Sequence, residues 1–183
     1  MPIVKDTSSF YPGTRKQARE SLGLPLASFI VIYHNELGSN AQKITSYFEK
    51  VLNRFKDDIN EVLVVNIGSK INMESAPGYS VRNIHINDAG ILGEYYRAAN
   101  LNIYLSPMDS LYRPVAEAAL CGVASVIFDV GSANEVIENE KTGIIINQFD
   151  KDALYVSIGR SMANPEYALN LGVAAYHKYK DEI

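Results

Sequence analysis

The chain has 183 residues, a length suited to one domain with a sizeable buried core, and its 47% hydrophobic and 21% charged content is that of a globular protein. A formal net charge of −4 speaks against a nucleic-acid or anionic-membrane surface, and a single cysteine excludes an internal disulfide and a cysteine-cluster metal site. No apolar run reaches the roughly 18 residues needed to span a bilayer, and MPIVKDTSSFYPG lacks the apolar centre of a signal peptide, so a cytoplasmic location is expected.

Residues 1–14 read as an extended lead-in, with Pro2, Pro12 and Gly13 opposing regular structure. Arg15–Leu22 reads as a short helix ended by Gly23, and Ser28–Tyr33 as a strand covered on both faces. Ile44, Tyr47, Phe48, Val51, Leu52 and Phe55 recur at spacings of three and four, which predicts an amphipathic helix over 41–55. Glu61–Ile67 is the next buried strand, closed by Gly68. Residues 69–82 read as irregular, followed by a short strand around Asn83–Ile86 and a helix over 90–99 with Ile91, Leu92, Tyr95, Tyr96 and Ala99 on one stripe. Strands are expected at 101–105, 124–128 and 143–146. Helices are expected at 114–121, 133–137, 150–162 and 165–179, with Asp150 as an N-cap.

Short apolar strands alternating with amphipathic helices predict a single α/β, Rossmann-like three-layer domain with a mainly parallel sheet. Ligands of such sheets collect at the carboxyl ends of the strands, which directs attention to the loops after residues 33, 67, 86, 105 and 128. In SPMDSLYRPVAEAALCG, residues 106–122, Asp109 precedes Glu117 by eight positions. Glu117 falls about one turn inside a helix that begins near Pro114 after a loop. A loop feeding a helix N-terminus offers backbone N–H groups to phosphate, and a carboxylate one turn further in can accept two hydrogen bonds from a vicinal diol. The pattern reads as half of a nucleotide-sugar site. Each residue also has a plainer reading: Glu117 as a solvated helix residue, Asp109 as a loop cap, Lys43 and Arg113 as exposed surface cations. His34 ends a strand at the ligand edge and is a candidate polar group there. Cys121 lies on the last turn of its helix before a glycine cap, with no histidine beside it in sequence, and reads as structural; His177 reads as surface, and Tyr95, Tyr96 and Tyr104 read as packing.

With these residues placed, the chain resembles the C-terminal, donor-binding domain of group 1 (family 4) glycosyltransferases of GT-B architecture. The likeness runs from about Asp6 to Tyr179 and rests on DTSSFYPG, EYYRAANLNIYLSP, DSLYRPVAEAALCG and EVIENEKTG in that order. It implies a retaining transfer of sugar from a nucleotide-diphosphate donor, in polysaccharide or glycoconjugate synthesis, with a separate N-terminal domain holding the acceptor. By position, Asp109 and Glu117 are implied as the catalytic-site pair, Asp109 at the donor sugar and Glu117 on the ribose hydroxyls. The backbone of Leu111, Tyr112 and Arg113 is implied to face the diphosphate, Lys43 to neutralise it, and His85 and Ile86 to meet the base. Gly68 and Gly131 lie at strand ends where a ligand can approach closely. No cofactor beyond the nucleotide sugar is implied, no metal is implied, and the full-length protein is expected to be at most peripheral at the inner membrane face.

The chain departs from the family's pattern at four places. Asp109 replaces a Glu, Leu111-Tyr112 replaces Phe-Gly, Asn35-Glu36 stands near the usual Gly-Arg, and Ile44 follows Lys43 in place of Gly. These changes motivate an alternative, a degenerate glycosyltransferase-like domain acting as a binding or assembly module. A dehydrogenase or P-loop protein is disfavoured because neither G-x-G-x-x-G nor G-x-x-x-x-G-K-[ST] follows any predicted strand.

Overall fold

Runs of β-branched and aliphatic residues that can bury both faces form the strands of one sheet. In the computed structural model, which describes residues 6–35, 39–58, 61–108 and 112–181, these strands are β1 (Phe29–Asn35), β2 (Val62–Gly68), β3 (Tyr79–Ile84), β4 (Leu101–Tyr104), β5 (Ser125–Phe128) and β6 (Ile144–Ile146). The helices are α1 (Arg15–Leu22), α2 (Ala41–Leu52), α3 (Ala89–Ala98), α4 (Arg113–Leu120), α5 (Ala133–Val136), α6 (Lys151–Ala163) and α7 (Pro165–Lys180). The strand order is β3-β2-β1-β4-β5-β6, and the five neighbouring pairs are all parallel. This is the Rossmann-like, three-layer arrangement.

Alternation along each strand sends successive side chains to opposite layers. Ile30, Ile32, Leu63 and Val65 face a core shared with Tyr96, Ala116 and Ala119. Val31, Tyr33, Val62 and Val64 face the opposite core, built with Phe48, Val51, Leu52, Leu154 and Ile158. Each fully buried aliphatic side chain contributes about 1.5–3 kcal/mol, so two covered faces are the main source of stability. Below the sheet, the buried Arg19 guanidinium gathers carbonyl oxygens of Ala98 (2.9 Å), Leu26 (2.7 Å) and Ser28 (3.0 Å) and the side-chain oxygen of Asn100 (2.7 Å).

Local chemistry sets the helix ends. Gly23, at φ 62°, closes α1 by returning its N–H to Arg19 and Glu20. Asp88, Asp150 and Asn164 cap α3, α6 and α7 by accepting the N–H of Ile91, Ala153 and Tyr167. The last predicted turn of α2 tightens into a 3₁₀ turn at Asn53–Phe55. β3 starts at Tyr79, earlier than the expected Asn83, and ends before His85. It is an edge strand, with one face half exposed, so no continuous apolar run announces it. Its entry is a tight turn in which Ala76 and Tyr79 exchange backbone hydrogen bonds.

The lead-in is also more structured than expected. The Asp6 carboxylate accepts from the Ser8 hydroxyl (2.7 Å) and the Ser9 N–H (3.0 Å), making a turn. Phe10 is then buried with its ring edge on Tyr96 at 6.2 Å. Arg97 donates to the carbonyls of Ser9 (3.2 Å) and Tyr11 (3.5 Å) and lays its guanidinium over the Tyr11 ring at 4.2 Å. Gly93 lets the Ser9 carbonyl lie against α3, where a Cβ would collide with it.

The same close approach occurs at Gly172 in α7, where a Cβ would run into the carbonyl oxygen of Gly122. In an ordinary helix a Gly→Ala change stabilises by about 1 kcal/mol. Here Gly172→Ala should destabilise by about 1–3 kcal/mol as α7 is pushed off α4. A urea-unfolding midpoint equal to or above that of the parent chain would refute this contact.

Candidate functional site

The strand order reverses between β1 and β4, so the segments leaving these two strands diverge and open a crevice at the carboxyl edge. Two depressions lie there. One, between β1 and β4, is lined by Asn35, Ser39, Asn40, Tyr104, Ser106 and Met108. The other, over the ends of β1 to β3, is lined by Asn35, Gly68, Ser69, Lys70, His85 and Ile86. His34 lines both.

Behind His34 runs a buried polar chain. The His34 Nε2 lies 3.0 Å from the Tyr96 hydroxyl, which donates to Glu117 Oε2 at 3.4 Å. Arg113 Nε donates to Glu117 Oε1 at 2.7 Å. A phenol has one proton to give, so with Tyr96 donating to Glu117, His34 donates from Nε2 to the phenol oxygen. Glu117 is 3% exposed. Burial raises its carboxyl above the ordinary range, while the hydrogen bond and charge of Arg113, and then Tyr96, pull it back down. The Tyr96 phenol is pushed well above its usual range by burial, with the Glu117 charge acting in the same direction. Burial pushes the His34 imidazole down to about 4, against a smaller upward pull from Asn102. The result is a neutral histidine, a neutral phenol and a carboxylate whose matched cation is Arg113.

The start of α4 explains how Glu117 is aimed. Tyr112 precedes the helix in a left-handed conformation, φ 46° and ψ 27°. The chain has Leu111-Tyr112 where the resembled pattern has Phe-Gly. The structure adopts the Gly-like backbone nevertheless, at a strain of about 1–2 kcal/mol. The hydroxyl of Tyr112 donates to the Val130 carbonyl at 2.7 Å, its ring meets Tyr104 edge-on at 6.1 Å, and it is 1% exposed. These contacts hold the bend that starts α4 beneath the crevice.

The remaining expected residues divide. Gly68, His85 and Ile86 share one depression; Gly68 sits at φ 108°, and a Cβ there would lie 2.6 Å from the Asn35 carbonyl oxygen. Lys43 is exposed on the first turn of α2 and lines neither depression, its ammonium lying 4.3 Å over the Phe149 ring. Gly131, at φ 50°, is exposed in the turn after β5 and also lines neither. Asp109, Leu111 and Glu36 lie outside the described residues. Cys121 is buried with its Sγ 3.8 Å from the Gly93 carbonyl oxygen, and burial pushes the thiol up to about 12, so it is a packing residue. His177 is exposed beside Tyr176. An Asp-x-Asp spacing occurs at Asp150 and Asp152, but Asp150 caps α6 and Asp152 pairs with Arg54 at 2.7 Å. Among the described residues no group of three or more His, Cys, Asp or Glu is placed to hold a metal ion, and no helix is long and apolar enough to cross a membrane.

Sequence reasoning missed three participants. Tyr96 was assigned to packing, because its stripe on α3 shows which face is buried and not where the hydroxyl ends. Ser69 and Lys70 lie in an irregular stretch, and their only signal was position, directly after a strand at the ligand edge.

The family model for glycosyl transferases group 1 matches residues 15–178, and the chain belongs to that family. A GDP-mannose-dependent alpha-(1-6)-phosphatidylinositol monomannoside mannosyltransferase of Mycolicibacterium smegmatis is 38% identical over 61 residues, 33% of this chain and 16% of that protein. A D-inositol 3-phosphate glycosyltransferase of Thermobifida fusca is 22% identical over 94% of this chain and 43% of its own length. The chain thus spans less than half of either curated relative. Among solved structures, Anabaena HepE in complex with UDP-glucose superposes with a TM-score of 0.75 at 15% identity, over 96% of this chain and 50% of that one. The shared fold is that of one half of a GT-B glycosyltransferase.

The depressed His34 value has a consequence for stability. A group whose folded value lies below its unfolded value, here about 4 against 6.5, contributes stability that is present above 6.5 and lost as pH falls through 4. His34→Gln removes that dependence. Between pH 7.5 and 4.5 the parent chain should lose about 1–3 kcal/mol relative to the variant, read from paired urea-unfolding curves. Parallel pH profiles would show that His34 is not held neutral by burial.

Proposed function

We propose that this group 1 glycosyltransferase domain binds the nucleotide-diphosphate sugar donor of a retaining glycosyltransferase. The observation that carries the reading is Glu117: a buried carboxylate one turn into α4, joined through Tyr96 to His34 at the floor of the switch-point crevice. A ribose diol is a fitting hydrogen-bond partner for such a carboxylate. The base is assigned to the side of Gly68, His85 and Ile86, and the diphosphate to the crevice between β1 and α4. Asp109, which precedes α4 in sequence, is assigned to the donor sugar.

In this reading the domain works by positioning and by electrostatic stabilisation of the departing nucleoside diphosphate. Lys70 and Arg113 are the cations that support it from the described residues. Acceptor-side groups, and hence the completed transfer in polysaccharide or glycoconjugate synthesis, are assigned to an N-terminal domain. The names of the relatives, one GDP-mannose-dependent and one structure complexed with UDP-glucose, support a nucleotide sugar without selecting the base.

A second reading, a non-catalytic binding or assembly module, is favoured by two contacts. Both Glu117 oxygens are already engaged, and Lys43 rests on Phe149 rather than reaching into the crevice.

Calorimetric titration with UDP, GDP and ADP decides between them. One diphosphate should bind at roughly micromolar to millimolar strength, and Glu117→Ala should weaken it by about tenfold or more. No binding of any of the three would leave the module reading standing. Binding that survives Glu117→Ala would move the site elsewhere.

A further inference from the structure

We propose that Arg113 is a specificity-determining residue that releases Glu117 to a ribose diol only when its own guanidinium transfers to the diphosphate of the same ligand. This exchange rests on the donor-binding reading above. Its physical basis is the unequal hold of the two groups on the Glu117 carboxylate. Tyr96, at Oε2, is enclosed by the core and cannot leave. Arg113, at Oε1, has a side chain 72% exposed, while the Glu117 side chain is 4% exposed. A hydroxyl arriving from solvent therefore competes with the guanidinium rather than with the phenol.

Displacing Arg113 removes the cation that offsets a desolvated charge. Asp6, whose carboxylate adds negative potential at both Glu117 and Arg113, makes that loss larger. A nucleoside brings nothing in return, and its diol pairs with Glu117 at the expense of the ion pair. A nucleoside diphosphate brings an anion to which the planar guanidinium can make two parallel hydrogen bonds. The ribose contact and the phosphate contact become one event, so the site discriminates against nucleosides by more than the phosphate attraction alone. Lys70 also faces the crevice, but no hydrogen bond or ion pair to Glu117 involves it among the described residues, so its attraction to phosphate leaves the ribose contact untouched.

The test is calorimetry at pH 8, chosen to favour the ionised form of Glu117 against the upward pull of its burial, on the full chain and on Arg113→Ala and Arg113→Lys. The probes are UDP, GDP, ADP and the three corresponding nucleosides. For the diphosphate that the parent chain binds, Arg113→Ala should weaken binding by roughly tenfold, while the matching nucleoside, relieved of competition with the guanidinium, binds more tightly. Arg113→Lys should fall between the two. If Arg113→Ala weakens nucleoside and diphosphate by the same factor, changes neither, or weakens the diphosphate and leaves the nucleoside unchanged, the exchange is overturned and the donor-binding reading survives. If the parent chain binds none of the diphosphates, both fall together.

Discussion

The reversal of strand order beside β1 is the constraint from which the rest of the structure follows. A parallel strand must be followed by a crossover, and here the crossovers on the two sides of β1 run to opposite layers of the sheet. The two cores make this possible, because alternate residues of the same strand supply each. No backbone can fill the gap between diverging connections, so the crevice at His34 is a topological product. The residues that line it come from loops whose only shared property is that they leave strands at the same edge.

Within that gap the electrostatics are dominated by removal from water rather than by accumulated charge. Glu117 is a carboxylate in a mostly apolar layer, and its environment is tuned by what lies against it: a neutral phenol, a neutral imidazole behind the phenol, and a guanidinium that reaches in from solvent. Burial alone would push the proton onto the carboxyl, and Arg113 opposes this. The carboxylate is held by groups on two different elements, Tyr96 near the end of α3 and Arg113 in the first turn of α4.

Much of the architecture was legible in the chain. The ends of α1 at Arg15 and Leu22 follow from a periodic segment closed by Gly23, and the cap of α6 follows from Asp150. β3 was misplaced because an edge strand needs to bury only one face, and Ser80, Arg82 and Asn83 break any apolar run. The candidate site was legible where a sequence pattern and local structure coincide, as at Glu117 buried one turn into α4, and obscure where a side chain is claimed by a distant partner. Lys43 is adjacent to the crevice in sequence logic, yet Phe149 from the other half of the chain holds it. The strained backbone at Tyr112 is a similar case: its support comes from Val130, beyond β5. Long-range partners of this kind have no local spacing to betray them.

The grip on the lead-in fixes the kinematics of the domain's entry. Ser9 and Tyr11 are held by their carbonyls, Phe10 by its ring, and Gly93 removes the clearance that would let the strap roll. A chain clamped at three consecutive residues transmits torque instead of absorbing it. The edge of the Phe10 ring rests on the Tyr96 ring that carries the hydroxyl on Glu117, so the clamped lead-in and the candidate site share one packing contact.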